Sequence, residues 1–503
     1  MPMCRQKCEN KMTDKLKYDP DRYTVKEKER DGVKIRYRAF EELPYCADPV
    51  SPAYQKLSIY VPEKYYEGSC IGGCSLHTAP VFMPNTIGGY MPGRIEEPGE
   101  NFKGETNAAF AALSAGCVVV SPAARGRGMK NKDEKNIGTA PAGIVDLKAA
   151  IRYLRRNRKL LPGDTEKIIT NGTSAGGAMS ALLGASGNSR EYEPYLKEIG
   201  AAEERDDIFA TSCYCPITNL DHADMAYEWE FCGRNDYHCM KPEFEMPETD
   251  DPVKKKAAGA SAEVLPDGRP RKLLRLVPAD GEMSPEKAAL SAPLKSMFPA
   301  YINSLRLKDR NGQALTLDNN GRGTFRNFIG HYVLKSINRA VREGQDLSGL
   351  EWIVWKDGTA VDFDFEKYTD YRTRMKETPA FDNVFGQPTA ENEVFGTCDD
   401  DFCHFTGFGM QHRKDSWPMA DPEVIRLMNP MNFIGSADAV TARYYRIRHG
   451  AADRDTSLAV SAMLTARLRN NGTEVDYHLP WGLPHSGDYD LRELFDWVRS
   501  ICG

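Results

Sequence analysis

The sequence contains a Gly-x-Ser-x-Gly pattern formed by Gly172, Ser174 and Gly176. A serine on a tight strand-to-helix turn can act as a nucleophile, and glycines on both sides let strand and helix approach each other. The apolar stretch KIIT before the pattern reads as a strand, and the small residues AGGAMSALL after it read as a helix. A helix N-cap serine needs neither the flanking glycines nor the strand. We therefore predict that Ser174 is a nucleophile.

A nucleophilic serine needs a base, and the base needs a carboxylate that orients it. In proteins with this strand–serine–helix turn, the three residues come in the chain order Ser, acid, His. The acid and the base each follow a late strand. Asp453 and Asp455 follow the strand RYYRIRHG, and His485 follows the strand EVDYHLP. We predict Asp453 as the acid, because it comes first, and His485 as the base. Asp455 could instead cap the next helix, His478 lies inside a strand, and His449 precedes the acid.

An oxyanion formed at Ser174 would need two backbone amides. One amide belongs to the residue after the nucleophile, which is Ala175. The second comes from a glycine-rich loop after an early strand, and the stretch NTIGGYMPG supplies Gly88 or Gly89. A Gly-Gly pair is also common in ordinary turns.

The elements around these residues alternate between strand and helix, which implies a mostly parallel sheet. The alternation stops for some 180 residues rich in loops and prolines, with one clear helix, and then resumes. The sequence therefore predicts an α/β-hydrolase fold with a large inserted cap. The predicted boundaries are an N-terminal extension at 1–50, the first part of the core at 51–220, the cap at 221–396 and the second part of the core at 397–503.

The chain has 503 residues and a net charge of -6, with both signs mixed along it. This pattern disfavours nucleic-acid binding, and no apolar run is long enough to cross a membrane. The polar N-terminal stretch lacks an apolar signal core, so we expect a cytoplasmic protein, and we expect a monomer. The pairs Cys70/Cys74 and Cys398/Cys403 have no matching second pair, so no metal site is predicted.

Four stretches together resemble the bacterial tannases, which are tannin acyl hydrolases of the cap-bearing α/β-hydrolase type. These are GTSAGGAMS, NTIGGYMPG, RHGAADRDTS and PHSGDYDL, and the similarity extends over nearly the whole chain. The resemblance implies that Ser174, Asp453 and His485 form the triad. It also implies that the amides of Gly88 and Ala175 form the oxyanion hole.

The resemblance further implies three residues that hold the phenolic hydroxyls of gallate. These are Lys376 and Glu391 from the cap and Asp455 beside the triad acid. Glu393 is a rival for Glu391, and Lys376 could instead be a solvated surface charge. Carboxylates accept hydrogen bonds from phenols and an ammonium donates them, so this set suits a trihydroxyphenyl ring.

The sequence thus predicts a serine esterase that releases gallate from galloyl esters and requires no metal or organic cofactor. Its expected partners are small phenolic esters. A feruloyl or hydroxycinnamoyl esterase is the alternative, since it would share the triad and differ in the ring pocket. A catalytically silent binding protein on the same scaffold is a more remote alternative.

Overall fold

The structure is a computed structural model that describes residues 15–101, 103–244 and 273–503. Its strands within these ranges are β1 (Thr24–Arg30), β2 (Val33–Pro44), β3 (Lys56–Pro62), β4 (Pro80–Pro84), β5 (Val118–Pro122), β6 (Asp164–Thr173), β7 (Ala210–Tyr214), β8 (Asp236–Tyr237), β9 (Met240–Phe244), β10 (Leu273–Pro278), β11 (Gly281–Glu282), β12 (Ile353–Lys356), β13 (Thr359–Phe363), β14 (Tyr444–Arg448) and β15 (Glu474–His478).

The α-helices within the same ranges are α1 (Ala108–Ser114), α2 (Ala142–Arg156), α3 (Ala175–Ala185), α4 (Glu193–Glu198), α5 (Ala223–Phe231), α6 (Pro285–Ser304), α7 (Thr324–Arg342), α8 (Phe365–Arg372), α9 (Ala390–Val394), α10 (Gly407–His412), α11 (Pro422–Leu427), α12 (Leu458–Asn470) and α13 (Leu491–Cys502).

The main sheet has nine strands in the order β1-β2-β3-β5-β4-β6-β7-β14-β15. From β5 to β15 neighbouring strands are parallel, whereas β1, β2 and β3 add an antiparallel edge next to β5. The central strands β4, β5 and β7 are buried along their whole length, as expected for a sheet covered on both faces. One apolar cluster includes α2, α3 and α12, and another includes α1 and α13. This is the predicted mostly parallel α/β architecture.

The N-terminal strands β1 and β2 lie in the stretch that the sequence analysis describes only as an N-terminal extension over 1–50. They pair with each other and with β3, and so lengthen the main sheet. β1 is largely exposed and its charged residues run without interruption from Lys26 to Arg30, which gives little apolar periodicity to recognise.

The chain between β7 and β14 contains no strand of the main sheet in its described part, and the predicted cap, 221–396, lies within this stretch. Besides the expected helix α7, the cap contains the 20-residue helix α6. The sequence did not indicate α6, because Pro293 and Pro299 lie inside it and proline interrupts a helical pattern. No helix in the described ranges combines the length and apolarity required to span a bilayer.

Candidate active site

Ser174 lies between β6, which ends at Thr173, and α3, which begins at Ala175. Its backbone has φ 60° and ψ -123°, a conformation that non-glycine residues rarely adopt. Strained backbone of this kind persists where the surrounding structure holds it, and it is concentrated at functional sites. The strand, the sharp turn and the helix are therefore arranged as the sequence predicts.

The two glycines of the pattern allow the close packing around this turn. A Cβ atom on Gly172 would lie 2.4 Å from the carbonyl oxygen of Gly176. A Cβ atom on Gly176 would lie 2.6 Å from Oδ1 of Asn85. Both distances are too short for a side chain, so glycine is required on each side of Ser174.

Asp453 and His485 meet through a hydrogen bond of 2.8 Å between Oδ2 and Nδ1. The Asp453 side chain is fully buried, and its Oδ1 accepts a hydrogen bond from the Asp455 amide at 2.8 Å. His449, which the sequence argument rejects as base, lies behind the acid with Nε2 3.2 Å from Oδ2. The carboxylate is thus held on three sides.

The charges of the acid and the imidazole stabilise each other. Burial by itself would raise the pKa of Asp453, but the attraction of His485 and His449 outweighs it and holds that pKa well below its ordinary value. Burial would lower the pKa of His485, but Asp453 and Asp455 raise it well above its ordinary value.

The loop that carries His485 packs against the serine turn. A Cβ atom on Gly487 would lie only 1.8 Å from Oγ1 of Thr173, the residue before Ser174. Cys215 Sγ, a carboxylate oxygen of Asp453 and a ring nitrogen of His485 all lie within 4.8 Å of one another. His485 Nε2 is buried without a hydrogen-bond partner in the described structure, which leaves this ring nitrogen available.

Cys215 was not selected from the sequence as a site residue. It follows β7 directly, and its Sγ lies 3.3 Å from the Ser486 carbonyl oxygen. Burial raises the pKa of its thiol, which therefore stays protonated beside the imidazole.

The glycine-rich loop after β4 lies next to the start of α3. Asn85 Nδ2 donates to the carbonyls of Asn171 and Gly176, at 3.0 and 3.1 Å, and so joins the loop to the serine turn. Gly89 adopts a left-handed conformation with φ 51°, whereas Gly88 does not adopt one. Within the described residues, no hydrogen bond occupies the amides of Gly88 or Ala175.

The three predicted ring-binding residues fall in two parts of the chain that meet in space. Lys376 Nζ lies 2.7 Å from Asp455 Oδ1, and the two side chains are 22% and 20% exposed. Lys376 Nζ also lies 4.1 Å from the centre of the Phe381 ring. Ser457, not Asp455, caps α12, so the helix-cap interpretation of Asp455 is wrong.

Glu391 is buried in the first turn of α9, and its charge acts on that of Lys376. Burial lowers the pKa of Lys376, but Asp455 and Glu391 outweigh this effect and raise it. Burial raises the pKa of Glu391. Burial would also raise the pKa of Asp455, but the attraction of Lys376 outweighs it and lowers that pKa. The ammonium and the Asp455 carboxylate therefore form a charged pair.

The rival Glu393 has a different partner. Its carboxylate forms an ion pair with Arg127, whose Nε donates to the carbonyl oxygen of Gly89. Glu393 thus connects the cap to the glycine-rich loop. The sequence contained no signal for this contact, because Arg127 and Glu393 are 266 positions apart.

The remaining candidates lie elsewhere or have other partners. His478 is 44% exposed and pairs with Asp476 at 2.9 Å. The thiols of Cys70, Cys74, Cys398 and Cys403 are free.

Comparisons with known proteins decide the family. The structure of tannase from Fusobacterium nucleatum superposes with a TM-score of 0.87 at 44% identity, covering 97% of this chain and 99% of that one. Tannase from Lactobacillus plantarum in an orthorhombic crystal gives a TM-score of 0.88 at 41% identity, with 97% and 100% covered. The chain belongs to the tannase family.

A third structure, of a tannin acyl hydrolase in complex with ethyl gallate, is 39% identical with a TM-score of 0.87 and covers 98% of this chain and 100% of that one. A family model described as BD-FAE matches residues 100–230, which include the serine turn. No curated protein matches the chain. The predicted fold class and family are confirmed.

Proposed function

We propose that this protein hydrolyses galloyl esters and releases gallate. The observation that carries the proposal is the likeness, over almost the full chain, to a tannin acyl hydrolase solved with ethyl gallate. The charged pair of Lys376 and Asp455 beside His485 supports it, because it offers a donor and acceptors for phenolic hydroxyls next to a serine turn.

In the proposed reaction, His485 Nε2 removes the proton from the Ser174 hydroxyl as its oxygen attacks the ester carbonyl. Asp453 holds the ring through Nδ1 and stabilises the positive charge that the imidazole gains. The raised pKa of His485 favours this charged form, and the carboxylates of Asp453 and Asp455 cause the increase.

The oxyanion that forms would accept hydrogen bonds from the amides of Gly88 and Ala175. The Ala175 amide is at the N-terminus of α3, where the helix dipole also favours negative charge. The C–O bond to the alcohol then breaks, and the alcohol leaves with the proton from His485. Water attacks the acyl-enzyme by the same steps, which releases gallate and restores Ser174.

Ring selection would come from Lys376, Asp455 and Glu391. A ring without hydroxyls would displace water from these groups and offer no hydrogen bonds in return, at a cost of about 1–3 kcal/mol for each lost bond. The pocket would therefore favour gallate over rings that lack adjacent hydroxyls.

The test is hydrolysis of methyl gallate and methyl ferulate by the intact protein and by Ser174→Ala. We expect cleavage of methyl gallate with a higher kcat/KM than methyl ferulate, and a loss of at least about 10³-fold in the variant. A preference for methyl ferulate would support the hydroxycinnamoyl alternative. Equal activity of both proteins would reject Ser174 as nucleophile, and failure of a serine-directed phosphonate to label Ser174 would favour the silent binding protein.

A further inference from the structure

Helix α5, at the start of the cap, forms hydrogen bonds with the two chain segments that carry Lys376 and Asp455. Glu228 accepts hydrogen bonds from Arg374 Nη1 and the Thr378 hydroxyl at 3.0 and 2.8 Å. Glu230 accepts from the Ser457 hydroxyl and the Leu458 amide at 2.7 and 3.0 Å. Arg374 and Thr378 lie on either side of Lys376 in the chain, and Ser457 and Leu458 follow Asp455.

Tyr227 directly precedes Glu228 in α5 and contacts both segments through one oxygen. Its hydroxyl accepts hydrogen bonds from the amides of Met375 and Lys376, at 3.2 and 3.0 Å. It donates to the carbonyl of Arg454 at 2.9 Å. Arg454 lies between Asp453 and Asp455, so the hydroxyl joins the cap residue Lys376 to the core loop that carries the acids.

The hydroxyl is completely buried, and burial raises the pKa of Tyr227 to about 12. It is therefore protonated at neutral pH and can donate to Arg454 while it accepts from the two amides. Phenylalanine keeps the ring packing, but it leaves two backbone N–H groups and one carbonyl without this partner. Buried backbone groups without partners are costly, so the two segments would have to shift to find new ones.

We propose that Tyr227 is a positioning residue that sets the distance between Lys376 and Asp455 and thereby the selectivity for trihydroxyphenyl rings. The inference rests on the proposed galloyl esterase function. Asp453 itself is also held by His485, His449 and the Asp455 amide. Loss of the Tyr227 hydroxyl therefore acts mainly on the ring-binding pair and less on the triad.

The experiment compares Tyr227→Phe with Tyr45→Phe. Tyr45 is also fully buried, and its hydroxyl donates to the Ala123 carbonyl at 2.9 Å; among the described residues it forms no hydrogen bond with Lys376, Glu391 or Asp455. The substrates are methyl gallate and 4-nitrophenyl acetate, whose acyl group has no ring. We expect Tyr227→Phe to lower kcat/KM for methyl gallate about tenfold, mainly through KM, as the loss of one hydrogen bond between the displaced Lys376 and the ring would do. We expect less than about a twofold change with 4-nitrophenyl acetate, and no change in the ratio of the two substrates in Tyr45→Phe.

A double-mutant cycle with Lys376→Met separates positioning from a general loss of stability. If Tyr227 acts through Lys376, Tyr227→Phe has little further effect on the substrate ratio once the ammonium is absent. An unchanged ratio in the single variant, or fully additive effects in the cycle, would overturn the inference. Wild-type protein that cleaves 4-nitrophenyl acetate but not methyl gallate would reject the proposed function itself, and the inference with it.

Discussion

The proposed triad and the proposed ring-binding site differ in how the chain builds them. Ser174, Asp453 and His485 each follow a parallel strand of one sheet, at the edge where the carboxyl ends of those strands meet. Lys376 and Glu391 instead come from the cap, and they reach Asp455 only because the cap packs against this edge. The sheet alone thus positions the proposed triad, whereas the proposed ring-binding site depends on how the cap packs against the sheet.

The two regions also differ in their electrostatics. Asp453 is fully buried and has two histidine neighbours, so its charge is fixed by groups of the core. Lys376 and Asp455 are partly exposed and pair with each other across the boundary. A change in the core should therefore affect every ester, and a change at the boundary should affect phenolic esters selectively.

The largest effect is expected from Asp453→Asn. The amide cannot hold and stabilise the imidazolium, so kcat should fall by about 10³- to 10⁴-fold with methyl gallate and with 4-nitrophenyl acetate alike. Steady-state kinetics with both substrates would measure this loss. The control is Asp133→Asn, an exposed carboxylate on a surface loop, which should leave both rates unchanged. A loss restricted to methyl gallate would contradict the assignment of Asp453 to the triad.

A smaller and selective effect is expected from Lys376→Met. Loss of the donor should lower kcat/KM for methyl gallate by about 10- to 100-fold, since hydrogen bonds that involve charged groups contribute about 1.5–3 kcal/mol. Activity on 4-nitrophenyl acetate should change little. Lys367→Met, at an exposed lysine of the cap helix α8, is the matched control and should behave as wild type. Equal losses on both substrates would mean that Lys376 acts on the triad rather than on the ring.

The smallest expected effect concerns pH and links the two regions. The base must be neutral to accept the serine proton, so kcat/KM should rise as pH increases through the pKa of His485. Because Asp453 and Asp455 raise that pKa, the rise should lie above the ordinary value of 6.5. Asp455→Asn removes one of these charges and should move the rise to lower pH.

The pH profile is best measured with 4-nitrophenyl acetate, because the same variant should weaken gallate binding. Cys215 and Asp453 also face the imidazole and are unchanged in this variant, so they do not alter the direction of the shift. A pH profile that stays in place or moves to higher pH would show that the Asp455 carboxylate does not raise the pKa of His485.

Much of the core was predictable because its signals are local. The serine turn combines a strand, two glycines and a helix within about twenty residues, and the order of serine, acid and base follows from strand order. β1 was not recognised, because an exposed edge strand rich in charge has weak apolar periodicity. α6 was missed because two prolines interrupt its pattern.

The contacts that support the site were less predictable. Tyr227 is 227 positions from Arg454, and Arg127 is 266 positions from Glu393. A tyrosine beside Trp229 and Phe231 in a short helix reads as an ordinary core residue, and an arginine before a glycine reads as an ordinary loop residue. Nothing local distinguishes these side chains from their many equivalents.

The amino-acid sequence alone determined the serine turn, the order of the acid and the base, and the parallel sheet, because spacing and periodicity along the chain encode them. Only the tertiary structure decided that Lys376 pairs with Asp455, that Glu393 pairs with Arg127, and that Tyr227 joins the cap to the loop of the acids. These contacts depend on how the inserted cap packs on the sheet, and a packing distance between remote segments is not written in any short stretch of the chain.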